Sequence, residues 1–202
     1  MSSTSPHRLR PVVIAANVLV AAVTGAAVLT AAVDPGQPSP TPGRGAAIAL
    51  TSADPIGIDQ GVSITPAPGW ELVDRGPNWV TLADTDAGAK MRVTVKPAAA
   101  GDVAAALQAD VDKEMANTSL INLAPSSGIN TKTVQGSHFQ QAARLDYTAD
   151  ERAGIDTTHL LGVFMELLNP SSRLSAFIDY RESDESPSQI GGIAQTMINS
   201  ML

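Results

Sequence analysis

Apolar residues run from Val12 to Val33, VVIAANVLVAAVTGAAVLTAAV, with no charge and no proline among them. At about 1.5 Å per residue the run reaches roughly 33 Å as a helix, enough for a bilayer core of about 30 Å. Farther on the period falls to two. Gly61 to Pro66, Trp70 to Val73 and Asn78 to Ala83 read as short strands, with the turn signal Pro66-Ala67-Pro68-Gly69 between the first two. Lys90 to Lys96 alternates Met91, Val93 and Val95 against Lys90, Arg92, Thr94 and Lys96, as a half-buried strand does.

The period then lengthens. Asp102 can cap a helix to Asn117 in which Val103, Leu107, Val111 and Met115 recur every four residues, with Asp110, Asp112, Lys113 and Glu114 off that stripe. Leu120 to Leu123 and Thr131 to Val134 are further strand candidates. Three long runs follow between His138 and Arg181. In the first, Phe139, Ala143, Leu145 and Tyr147 share a face; the second, Thr158 to Leu168, is apolar on both faces; the third alternates Leu174, Ala176, Ile178 and Tyr180 with Ser175, Phe177, Asp179 and Arg181. Asn169-Pro170-Ser171-Ser172 joins the last two, so the three runs form an antiparallel meander. Ser186-Pro187-Ser188-Gln189 is a capping box for a last helix with its stripe at Ile190, Ile193, Ala194, Met197, Ile198 and Met201. This order of elements predicts an α+β fold, a mainly antiparallel sheet with packed helices, preceded by one N-terminal transmembrane or signal helix.

Composition divides the chain into three parts. Residues 1–33 are a signal-anchor or signal peptide, with His7, Arg8 and Arg10 as the basic flank that stays inside. The length of the apolar run suits an uncleaved anchor, and the small residues around Ala26, Ala27, Ala31 and Ala32 suit cleavage. Either way the chain after Val33 is exported, anchored in the cytoplasmic membrane with its C-terminal domain outside, or secreted. Residues 34–60 are a linker: prolines at 35, 38, 40 and 42 make a partly stiff spacer, and Ala47 to Gln60, with Pro55 and Gly57, reads as irregular. Residues 61–202 are the folded domain.

Charge and chemistry narrow the function. After Arg44 there are 10 Lys and Arg against 19 Asp and Glu, a balance that opposes binding to nucleic acid. With no cysteine, the exported domain depends on its core for stability. Of three histidines only His138 and His159 lie in the domain, each at the start of a strand, where they could approach each other or Asp146. Asp84 with Asp86, or Asp150 with Glu151, would serve glycoside chemistry only if held about 5 to 10 Å apart across a cleft. No G-x-S-x-G, P-loop or dinucleotide glycine pattern occurs. The sequence therefore assigns no catalytic, cofactor-binding or metal residues and no cofactor. Trp70 reads as a core aromatic, Trp79 equally as a contact surface.

The export segment, the Pro-rich spacer and the phrase Val62-Ser63-Ile64-Thr65-Pro66-Ala67-Pro68-Gly69-Trp70, followed by strands and a terminal helix, resemble the mycobacterial LpqN/LpqT-type lipoproteins and the related proline-rich secreted antigen. The resemblance covers about Gly61 to Leu202. It implies a PsbP-like fold and a noncatalytic cell-envelope protein that binds other exported proteins or aids handling of cell-wall lipids such as trehalose mycolates. The lipoproteins carry an acylated cysteine, which this chain lacks. Two alternatives stand beside that reading. A lipid carrier would need an apolar cavity between the helix from Asp102 and the sheet. A cell-wall hydrolase would need His159 or His138 beside a carboxylate in a deep cleft.

Overall fold

The computed structural model describes residues 54–84, 88–185 and 190–202, with the side chains of 190 and 191 left out. The N-terminal apolar run, the prolines of the spacer and the capping box at Ser186 to Gln189 lie outside the described residues. Among the described residues no helix is long and apolar enough to cross a membrane.

Folding starts earlier than the linker boundary at Gln60 suggests. β1 (Ile56–Asp59) and β2 (Val62–Ile64) form an antiparallel hairpin closed at Gln60 and Gly61, whose φ angles are 49° and 79°. Two successive positive φ values match the twist of a tight hairpin, and the Asp59 carboxylate accepts from the Gln60 N–H at 2.8 Å. Ile58, Val62 and Ile64 are buried by this hairpin. Pro55 and Gly57 conceal the strand in the sequence because both disfavour strand interiors.

The main sheet is antiparallel throughout. β3 (Glu71–Arg75), β4 (Trp79–Asp84) and β5 (Ala89–Pro97) form one meander, and β8 (Gln141–Ala153), β9 (Asp156–Asn169) and β10 (Leu174–Ser183) form another. β10 pairs with β5 and joins them in the order β3-β4-β5-β10-β9-β8. β6 (Ile121–Pro125) and β7 (Asn130–Thr133) share the outer side of β8, β6 opposite Tyr147 to Asp150 and β7 opposite Gln141 to Arg144.

Each face of the sheet carries its own core. Met91, Val93, Val95, Ala176, Ile178 and Tyr180 face the hairpin β1–β2 and the C-terminal helix. That helix begins as a π-helical turn at Ile190–Ala194 and continues as α2 (Gln195–Asn199), burying Ala194, Met197, Ile198 and Met201. The Thr65 N–H donates to Ser200 Oγ at 2.8 Å, tying β2 to this helix. Trp70 lies in the same core, 6.0 Å from Tyr180 between ring centres, so it is a core aromatic. Phe139 also belongs here and not with Ala143, Leu145 and Tyr147, because it precedes the first paired residue of β8 and escapes the strand's alternation.

The opposite face is covered by α1 (Val103–Asn117), which packs on β8 and β9. Asp102 caps it, accepting from the N–H groups of Ala104 and Ala105 at 3.0 Å each. Asp102→Ala should lower stability by about 1 kcal/mol, read as a shifted denaturant midpoint with an unchanged slope. Val103, Leu107 and Val111 are buried as the spacing predicts, but Met115 is 45% exposed and Asp110 only 6%. Helix geometry explains both corrections. A step of four residues overshoots one turn by about 40°, so Met115 has rotated roughly 120° from Val103, whereas Asp110 falls about 20° from it on the other side.

Candidate functional site

Beneath the middle of α1 aromatic side chains are packed, and a cleft of about 310 Å³ opens at its first turn beside Asp102, Val103, Thr131 and Gln141. Tyr147, Phe164 and Phe177 stack in a row, with ring centres 4.2 and 5.7 Å apart, against Leu107, Val111 and Leu168. The Tyr147 hydroxyl donates to Asp179 Oδ1 at 2.6 Å, and burial pushes the pKa of both groups up. Lys96 crosses from β5 to form an ion pair with Asp110 of α1. Glu166 lies fully buried next to this pair; burial pushes it up to about 8, Asp110 adds to the rise, and Ser175 and Lys96 oppose it.

One group of residues that sequence reasoning considered separately converges at the far end of β8 and β9. Asp150 faces His159 across the ladder, and the His159 Nδ1 meets its carboxylate. The third member was missed. Asn122 sits at the β6 irregularity with φ 54°, and its amide donates to Asp150 Oδ2 at 2.6 Å. A bulge of this kind re-aims a side chain, and nothing in the local sequence specifies it. These three residues line a cleft of about 300 Å³ with Thr148, Leu160, Leu161 and Asp184.

The Asn122 amide, followed by the His159 imidazole, holds the Asp150 carboxyl below the usual carboxylate range against the opposing effect of burial. A depressed carboxyl pKa stabilises the fold above the unfolded-state value, and that contribution is lost as acid protonates the folded carboxylate. Asn122→Gly keeps the positive φ and removes the amide. It should raise the Asp150 pKa more than His159→Ala does, as followed by carboxyl carbon shifts in an NMR titration; the reverse order would discard this ranking.

The arrangement orients an imidazole, but no described hydroxyl is hydrogen-bonded to it as a nucleophile would be. His138 is not its partner. It precedes β8 beside the Leu168 end of β9, about nine residues of strand or roughly 30 Å from His159. Asp146 is bound instead by Arg144 at 2.6 Å and by Ser127. Asp150 and Glu151 point to opposite faces of β8 as consecutive strand residues, so they do not flank one cleft. Asp86 lies outside the described residues.

A second surface lies where α1 stops. On the α1 side of the sheet, register places Trp79, Thr81 and Ala83 of β4 beside Thr94, Arg92 and Lys90 of β5. These stand beside Phe177, Asp179 and Arg181 of β10. The Trp79 ring lies over Gly76, where a Cβ would meet the indole nitrogen at 2.2 Å, and the Arg92 guanidinium covers the ring at 4.1 Å. Lys90 and Arg181 are directly opposed in the ladder. Among the described residues no carboxylate is within ion-pair distance of Lys90, Arg92 or Arg181.

No protein-family model and no curated protein matches the chain. Among solved structures, the Ran-binding protein Mog1p of Saccharomyces cerevisiae is similar at a TM-score of 0.49 and 9% identity, over 74% of this chain and 95% of that one. A point mutant of Mog1 gives 0.45 and 9%, over 74% and 84%. A protein from Bacteroides thetaiotaomicron VPI-5482 gives 0.30 and 11%, over 67% and 42%.

Proposed function

We propose that this protein is a noncatalytic binding or accessory factor of the cell envelope, holding other exported proteins on a domain of PsbP-like architecture. The observation that carries the binding role is the half-face of the sheet that no described element covers, where Trp79 and Arg92 stack beside the opposed cations Lys90 and Arg181. Such a face offers aromatic and guanidinium groups, the side chains richest in binding energy. Envelope placement rests on the N-terminal apolar run and the Pro-rich spacer. Against the carrier alternative count the Tyr147, Phe164 and Phe177 stack and the Lys96–Asp110 pair between α1 and the sheet, and the polar lining of the cleft of about 310 Å³ at the start of α1. The hydrolase alternative keeps an oriented His159, to which no hydroxyl among the described residues is bonded.

Native mass spectrometry on the full chain from its own envelope, with lipid extraction, tests the reading. A second exported protein at fixed stoichiometry is the expected result. Acyl or mycolate species at fixed stoichiometry, with no protein partner, would overturn it.

A further inference from the structure

We infer that this half-face, which no described element covers, binds an extended acidic segment of a partner protein, lying along β5 with carboxylates at alternate positions. This rests on the binding reading above and adds the chemistry of what is bound. The first ground is an energetic cost within the fold. Like charges directly opposite in an antiparallel pair destabilise it, and Lys90 and Arg181 face each other in the ladder with no described carboxylate in ion-pair distance. Arg92 is the next same-face residue on β5; it stands opposite the buried Asp179, which Arg92 and Arg181 influence from beyond ion-pair distance and which is already hydrogen-bonded to Tyr147. Lys96, farther along the same face, is neutralised by Asp110. The cations without a carboxylate in contact are therefore confined to one end of the face.

The second ground is spacing. Lys90 and Arg92 are two residues apart on one strand, which is about 6.7 Å. Alternate side chains of an extended peptide repeat at the same distance, so carboxylates at every second position fall on the two cations in turn. Arg181 stands across from Lys90 and can take the second oxygen of the same carboxylate. The Trp79 plate, fixed between Gly76 and Arg92, lies one strand over and supports an apolar neighbour of the acidic residues.

The third ground selects a peptide over a charged surface. The region after Arg44 has 19 acidic against 10 basic residues, so a lipid bilayer rich in anionic headgroups is repelled by the domain as a whole. Asp84 and Glu151 line the cleft of about 210 Å³ that Lys90 and Arg181 also line, and they bound the patch at that end. A short acidic segment fits inside this frame.

The test uses the full chain in a zwitterionic detergent and follows Trp79 emission, with Trp79→Phe as the blank that leaves Trp70. The probes are a capped peptide of alternating Glu and Ala, a peptide of equal charge with Glu in adjacent pairs, its Lys counterpart, and phosphatidylglycerol vesicles. The alternating acidic peptide should bind most tightly, weaken with salt, and lose at least tenfold in affinity in Arg92→Gln. Lys90→Gln, on an independent side chain, should act in the same direction. Equal binding by the variants, or a response to vesicles but not to peptide, would overturn the inference. Cross-linking of the native partner separates the two levels. A partner mapped away from Trp79 and Arg92 removes the acidic-segment inference alone, whereas lipid without any protein partner removes the binding reading itself.

Discussion

Gly162→Ala should cost on the order of 5 kcal/mol, enough to unfold a domain of ordinary stability. A Cβ at Gly162 would sit 2.1 Å from Cζ of Tyr147 and 2.5 Å from both its Cε atoms. The ring is 1% exposed and stacked on Phe164, so moving it aside breaks that stack. Overpacking of this kind costs about 1 to 3 kcal/mol, and displacing the ring adds two losses. Asp179 would lose the Tyr147 hydroxyl, leaving a buried carboxyl group without its partner at about 1 to 3 kcal/mol, and the aromatic pair would lose about 1 kcal/mol more. Urea denaturation reads the sum. The double variant Gly162→Ala with Tyr147→Leu should recover part of the loss, because the clash is removed with the ring. A single-variant change below about 1 kcal/mol would show that the ring can move and would refute the packing argument.

Glu166 sets the second large effect, and its sign is opposite to that of Asp150. Burial raises the carboxyl from 4.5 to about 8, so between these values the folded state keeps a proton that the unfolded state has released. Stability should therefore fall as pH rises through this window and level off above about pH 8, with a total on the order of 5 kcal/mol. Glu166→Gln keeps the shape without the titration. The variant should be more stable than the parent at roughly pH 9, with a flatter slope from roughly pH 5; Asp179, also raised by burial, leaves a residual slope of the same sign. Parallel pH profiles for parent and variant would remove Glu166 as the source.

Local periodicity made the elements readable and left their assembly hidden. The alternation of Met91, Val93 and Val95 against Lys90, Arg92 and Lys96 marks β5, and the Asp102 cap with its apolar stripe marks α1. The meander from β8 to β10 follows from its runs and the turn at Asn169, whose side chain accepts from the N–H groups of Ser171 and Ser172 at 3.0 Å each. What pattern cannot convey is which strands meet. Arg181 joins Lys90 and Arg92 only because β10 pairs with β5, a nonlocal register that no turn dictates. Polar residues of β5 read as an ordinary solvent face until Trp79 and Arg181 are set beside them. Asn122 reaches Asp150 only through a backbone irregularity, and Asp110 looks exposed if a four-residue repeat is taken for the helical turn.

The position of β10 has a consequence for the order in which the fold can form. It is the last strand to leave the ribosome, yet it lies in the middle of the sheet, between β5 and β9. Until it arrives, the meanders β3–β5 and β8–β9 each expose an unpaired inner edge, and Lys90 waits for a ladder partner 91 positions later at Arg181. Pairings of such long separation form slowly, and open strand edges invite association with other chains. Synthesis that stops before Leu174 should therefore yield one aggregation-prone chain carrying two unjoined part-sheets and not a smaller folded domain.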